Sequence, residues 1–248
     1  MKKGVIFDKD GTLVLYREFW FPVAEYAVDT VLSKVHADPA FKKEIFRELG
    51  VEDGIQGVLC YGTFRETVDA VNHVLMRHGY HVEDQIVVDA FHDGAKYGAI
   101  VPPCADLPGV LQRLREGGYL LFVVTSDDLP TTLHCLDSLG ITEQFEKICA
   151  YDGVHPPKPD PYYIENICTE YGLKKSELLM VGDTQNDLNF AKNGGIDAVG
   201  VALTEAEKRL LEPGAVCVLH DVSGLEKLLL PNDCSCACGS KDSEIPLG

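Results

Sequence analysis

The chain opens on an unbroken apolar run, Gly4-Val5-Ile6-Phe7, that gives way at once to Asp8-Lys9-Asp10-Gly11-Thr12. A short run without alternation predicts a strand buried on both faces, as in a parallel sheet. Beyond Thr12 the period changes. Val23, Ala27, Val31 and Val35 recur at helical spacing after Pro22; Phe41, Ile45 and Leu49 follow Pro39; Phe64, Val68, Val71 and Leu75 follow Thr63 and stop before Gly79; a fourth stretch holds Ile86, Ala90 and Phe91. These spacings predict helices, and no strand is expected between about Val14 and Gly98. Pro102, Pro103 and Pro108-Gly109 then punctuate the chain, and strands begin to alternate with helices. A helix from about Pro108 to Glu116 precedes a strand over Tyr119 to Val124. A helix from about Leu129 to Leu139 ends at Gly140, and another carries Tyr163, Ile167 and Tyr171. Strands follow at Leu178 to Val181, Ala198 to Leu203 and Val216 to Leu219.

Strands alternating with helices predict an α/β fold, a doubly wound parallel sheet with helices on both faces. The long helical stretch reads as an insertion between the first and second core segments. The expected organisation is core over 1–14, helical cap over 15–100, core over 101–230, and a cysteine-containing tail over 231–248.

Composition narrows the function. With 248 residues, 46% of them hydrophobic, the chain can bury a sizeable core. No apolar stretch approaches the ~20 residues that cross a bilayer, and no signal-peptide profile precedes the first strand, so a cytoplasmic protein is expected. A net charge of -17 argues against nucleic acid or an anionic membrane as partner. Six of the nine cysteines (Cys60, Cys104, Cys135, Cys149, Cys168, Cys217) are scattered in apolar or helical contexts and are expected as free thiols.

Polar residues gather where the predicted strands end, which is where open α/β sheets hold their ligands. Asp8 and Asp10 are two apart and share a side in extended backbone, while Gly11 lets the chain turn away. Two such carboxylates need a cation, a proton or a basic neighbour. The second strand ends in Thr125-Ser126-Asp127, hydroxyls beside the N–H groups of an entering helix, which suit a phosphate as well as a plain N-cap. In His155-Pro156-Pro157-Lys158-Pro159-Asp160-Pro161, four prolines stiffen the chain around one lysine. Gly182-Asp183-Thr184-Gln185-Asn186-Asp187 sets two carboxylates four apart across a turn into a helix, hard oxygen donors that suit magnesium. Each motif alone also fits an ordinary turn, cap or surface loop.

Their order along the chain resembles the haloacid dehalogenase superfamily of phosphotransferases. The resemblance runs through Asp8 to Thr12, Thr125-Ser126, Lys158-Pro159-Asp160-Pro161, and Gly182 to Asp187 with Ala191 and Gly194-Gly195, and extends to about Leu230. The helical insertion and the return at Leu107-Pro108-Gly109-Val110 look like the subgroup that includes phosphoglycolate phosphatases, pyrophosphatases and β-phosphoglucomutases. The resemblance implies a Rossmann-like core with a mobile helical cap, and a magnesium-dependent phosphatase acting on a small phosphorylated metabolite. Asp8 would be the nucleophile and Asp10 the acid/base. Magnesium would sit on Asp8, the Asp10 carbonyl and Asp183, with Asp187 as ligand or just behind. Gly11, Thr12, Thr125 and Ser126 would bind the phosphoryl group, and Lys158 would neutralise it.

Some features depart from the pattern. Asp127 and Asp128 are expected to add negative charge near the phosphate site. The segment after the first motif, Leu15 to Phe21, lacks the histidine common in the mutase branch, which ranks mutase below phosphatase. Arg17 or Arg65 would suit a second anionic group on the substrate, or would simply be solvated. Cys234, Cys236 and Cys238 find no fourth ligand nearby and are not assigned a metal. A phospholigand sensor on the same fold is the rival class, but it would have no use for the Asp8–Asp10 pair.

Overall fold

The computed structural model describes residues 2–51 and 57–230; Cys234, Cys236 and Cys238 lie outside them. Six strands, β1 (Gly4–Phe7), β2 (Leu120–Asp128), β3 (Lys147–Tyr151), β4 (Leu178–Gly182), β5 (Asp197–Val201) and β6 (Cys217–Leu219), form one sheet in the order β3-β2-β1-β4-β5-β6. Every pairing is parallel. The α/β, doubly wound expectation therefore holds. β1 explains its own unbroken apolar run: Val5 and Phe7 pack into one face with Leu111, Val123 and Val181, while Ile6 joins Phe122, Ile164 and Met180 on the other.

Between β1 and β2 the chain is helical, as α1 (Tyr16–Lys34), α2 (Phe41–Leu49), α3 (Val58–Tyr61), α4 (Phe64–Arg77) and α5 (Asp84–Gly94). Phe19, Val23, Ala27, Val31, Val71, Leu75 and Phe91 give this layer its own core. Of the remaining helices, α6 (Leu107–Glu116), α7 (Leu129–Ser138), α8 (Tyr162–Tyr171), α9 (Gln185–Gly194) and α10 (Glu205–Leu211) lie between strands, and α11 (Leu225–Leu229) follows β6. No helix among the described residues is long and apolar enough to cross a membrane.

The structure departs from the sequence reading at several points, among them β5, which ends at Val201 rather than Leu203. α1 starts ahead of Pro22 and runs through it. The proline removes the N–H that would bond Glu18, and the freed Glu18 carbonyl instead accepts from Ala99 N at 3.0 Å. The return segment is thus docked along α1, and Leu15 N donates to Val101 O at 2.8 Å where the two connections pass. β2 continues to Asp128, four residues past the predicted end, with a register shift between Val124 and Asp128. β3 was not predicted.

Candidate active site

The strand order reverses between β1 and β4, and the site lies at their carboxyl ends. Phe7 is in register with Val181, so Asp8 leaves β1 one residue short of the level of Asp183 on the neighbouring strand, and Asp8 N donates to Val181 O at 2.9 Å. The Asp8 loop then closes on itself: Leu13 N and Val14 N both donate to Lys9 O, and Gly11 N to Val14 O at 2.7 Å. Gly11 is required twice over. Its φ is +78°, and a Cβ there would fall 2.0 Å from Asp183 Oδ2.

Asp8, Asp183 and Asp187 present oxygens that all lie within 4.8 Å of one another. Lys158 reaches into this cluster from the β3–α8 loop, with Nζ 2.5 Å from Asp8 Oδ1 and 2.6 Å from Asp187 Oδ1. Asp187 is fully buried, and its other oxygen accepts from Thr184 N at 3.1 Å and Thr184 Oγ1 at 2.7 Å, capping its own helix. Both Asp187 oxygens are therefore engaged within the protein. Thr12 Oγ1 donates to Asp183 Oδ1 at 3.4 Å.

One ammonium among three carboxylates, Asp8 and Asp187 buried and Asp183 half-buried, leaves negative charge unbalanced. Burial, reinforced by Asp187 and Asp10 and only partly opposed by Lys158, pushes Asp8 up to about 7. Burial and then Asp8 and Asp187 hold Asp183 well above the usual carboxylate range. Burial alone would lower Lys158, but Asp187 and Asp8 outweigh it and keep its ammonium firmly protonated. A buried, all-oxygen, electron-rich donor set fits a hard divalent cation such as magnesium rather than a soft metal.

A second buried charge cluster adjoins the first, and the sequence reading assigned its lysine nothing. Lys9 is wholly buried, with Nζ 2.7 Å from Asp10 Oδ1 and 3.0 Å from Asp127 Oδ2. It lies over the rings of Phe19 and Trp20, 5.2 and 5.4 Å from their centroids. Burial raises Asp127 to about 7, partly offset by Lys9. The signal was present: a lysine wedged between two aspartates after a buried strand must find countercharge inside if it points inward.

Thr125 and Ser126 both line the chamber above Asp8 and Asp10. Thr125 Oγ1 accepts from Asp127 N at 3.2 Å, whereas Ser126 Oγ is buried without a partner among the described residues. The helix entrance expected here lies further on, because Asp128 is the N-cap of α7 and accepts from Thr131 N at 2.8 Å. Asp127 and Asp128 are each held within the protein: Asp127 shares Lys9 with Asp10 while still lining the chamber, and Asp128 also meets His92 Nε2 of α5 at 3.1 Å. Neither arginine enters the chamber. Arg17 is exposed with its guanidinium over Phe21, and Arg65 pairs with Asp69 and Asp84. Asn186, also unassigned from sequence, donates to Tyr61 O and Lys158 O, linking the helical layer to the core. The six described cysteines are free thiols, as expected.

A family model described as haloacid dehalogenase-like hydrolase matches residues 2–195. The phosphoglycolate phosphatase of Mesorhizobium japonicum is 27% identical over 234 residues, 90% of this chain and 93% of that protein. Pyrophosphatase PpaX of Halalkalibacterium halodurans is 32% identical over 124 residues, 49% of this chain and 58% of that protein's length. Among solved structures, that of a predicted phosphoglycolate phosphatase from Haemophilus somnus aligns with a TM-score of 0.69 at 18% identity, over 92% of this chain and 97% of that one, a likeness of fold.

Proposed function

The chain belongs to the haloacid dehalogenase-like hydrolase family, and from that premise we propose that it is a magnesium-dependent phosphomonoester hydrolase working through an aspartyl phosphate, with the α1–α5 layer as a cap over 15–100. The observation that carries the reading is Lys158 bridging Asp8 and Asp187 within hydrogen-bond distance, beside Asp183. The match along nearly the whole chain to a phosphoglycolate phosphatase supports a small phosphorylated metabolite as substrate.

Asp8 attacks phosphorus with the oxygen that Lys158 does not hold, the phosphorus–oxygen bond to the leaving group breaks, and Asp10 gives that oxygen a proton. Asp10 then takes a proton from the water that attacks the acyl phosphate, which releases inorganic phosphate and restores Asp8. Lys158 draws charge from the phosphoryl oxygens, and Gly11, Thr12, Thr125 and Ser126 frame them. Asp187, with both oxygens engaged, orients Lys158 and braces the Asp183 turn. Magnesium on Asp8, Asp183 and the Asp10 carbonyl would supply positive charge that keeps Asp8 ionised and offsets the phosphoryl group.

The test is phosphate release from a panel of small phosphomonoesters and pyrophosphate, with and without magnesium, for the protein and its Asp8→Asn variant. Turnover that needs magnesium and disappears with Asp8→Asn is expected. Absence of release by folded wild-type protein from every member would overturn the reading in favour of a phospholigand sensor.

A further inference from the structure

The phosphatase reading leaves open what the phosphate is attached to. The chamber above Asp8 and Asp10 is a cavity of about 30 Å³, room for one or two waters. The helical layer must therefore lift to admit a substrate, and closes on a group of few heavy atoms. Its roof is mainly apolar, with Trp20, Leu59 and Phe64. A groove of about 870 Å³ adjoins it, sharing Lys158, Thr184 and Asn186.

Lys158 is the one cation lining either space among the described residues, and Asp8 and Asp187 already hold it. Lys9 lies below, taken by Asp10 and Asp127. Arg65 is bound by Asp69 and Asp84, and Arg17 lines a separate recess beside Gly11. Residues 52–56 contain no lysine or arginine. A carboxylate or second phosphate on the leaving group would meet Asp10 and Asp127 in this chamber with no countercharge of its own, which is strongly unfavourable away from water.

A second observation says what does belong there. Trp20 is 4% exposed, it lines the chamber, and its Nε1 is buried without a hydrogen-bond partner among the described residues. An indole N–H only donates, and left unpaired in the interior it costs stability. An oxygen on the substrate would satisfy it.

Resting on the phosphatase reading, we propose that the leaving group is small, uncharged and oxygen-bearing: a hydroxyl or carbonyl oxygen accepts from Trp20 Nε1, and the carbon frame lies against Leu59 and Phe64. Trp20 is then a specificity residue, and glycol-type monophosphates are preferred over phosphorylated carboxylic acids and over pyrophosphate.

Three monoesters of matched size separate the elements of this inference: 2-hydroxyethyl phosphate is neutral with an acceptor, ethyl phosphate is neutral without one, and phosphoglycolate carries the carboxylate. With magnesium present, kcat/KM for 2-hydroxyethyl phosphate is expected to exceed that for phosphoglycolate and pyrophosphate by about tenfold or more. Trp20→Phe keeps an aromatic ring and removes the N–H, and is expected to shrink the ratio of 2-hydroxyethyl to ethyl phosphate about fivefold. Because the readout is a ratio within one variant, a loss of folded protein does not move it. Preference for phosphoglycolate or pyrophosphate overturns the inference while leaving the phosphatase reading standing, as does an unchanged ratio in Trp20→Phe. Release from none of the substrates overturns both.

Discussion

The wholly buried ammonium of Lys9 lies 2.7 Å from the carboxylate of Asp10. Asp10 is the proposed proton carrier, and its side chain is the more exposed partner of the pair. With Asp127 at 3.0 Å on its other side, Lys9 anchors Asp10 to the interior. Lys9→Met should strand Asp127 as an uncompensated buried charge and cost about 3–5 kcal/mol of stability. Lys9→Met/Asp127→Asn removes both charges and should recover most of that loss. Asp10 stays untethered in the double variant, so kcat should remain down by about tenfold or more. Urea unfolding and steady-state kinetics on the two variants separate the effects; recovery of kcat together with stability would show that Lys9 serves folding alone.

A pH dependence follows from the same buried carboxylates. Asp8 and Asp127 are each raised to about 7 from an ordinary value of 3.8. Between about pH 4 and 7 the folded protein then binds more protons than the unfolded chain, so stability falls as pH rises across that window. The slope reaches up to about 1.4 kcal/mol per pH unit for each group. Asp152, held down at about 2 by N–H groups of His155 and Val154, acts at lower pH and does not oppose this. In EDTA the Tm should therefore be lower at pH 8 than at pH 5.5, and added magnesium should raise it more at pH 8. A metal-free Tm that climbs between those pH values would contradict the electrostatic reading of the site.

The placement of the candidate residues was legible where they directly follow apolar runs. Asp8, Thr125 and Asp183 follow apolar runs that mark β1, β2 and β4, and their convergence follows from parallel pairing alone. β3 escaped because Lys147-Ile148-Cys149-Ala150-Tyr151 is a short edge strand, paired on one side only, whose four-residue apolar run is too short to separate a strand from a piece of helix by pattern. The start of α1 escaped because Pro22 ordinarily marks a helix beginning, and the Ala99 N–H that compensates it lies 77 residues from it in the chain. Long-range compensation also hid the role of Lys9, since Asp127 comes to it from another strand. The partners of Asp127 and Asp128 were hidden in the same way, since Lys9 and His92 are each remote in sequence.

Asp187 joins two tasks that a surface aspartate one turn into a helix would not share. Its Oδ1 holds Lys158 and its Oδ2 completes the Thr184 cap. Thr184→Ala removes the cap hydroxyl and should cost about 1 kcal/mol. Asp187→Ala also takes one of two countercharges from buried Lys158, and should cost about 3 kcal/mol with a fall in kcat of about a hundredfold. Equal destabilisation by the two variants, measured by chemical denaturation, would show that the Lys158 contact contributes nothing to stability.

Gly11 and Gly79 separate backbone strain from site geometry. Both have strongly positive φ, +78° and +83°. A Cβ on Gly79 would meet nothing within 4 Å, while one on Gly11 would fall 2.0 Å from an oxygen of Asp183. Gly79→Ala should therefore cost only conformational strain, about 1 kcal/mol, with magnesium affinity unchanged. Gly11→Ala carries a similar strain but must also displace the Asp183 carboxylate, the principal metal ligand after Asp8 in the proposed site. Magnesium titration followed by thermal shift should show at least a tenfold weaker midpoint for Gly11→Ala than for Gly79→Ala. Matching midpoints would mean that Asp183 does not hold the metal, and the ligand set would have to be rebuilt around Asp8 and Asp187.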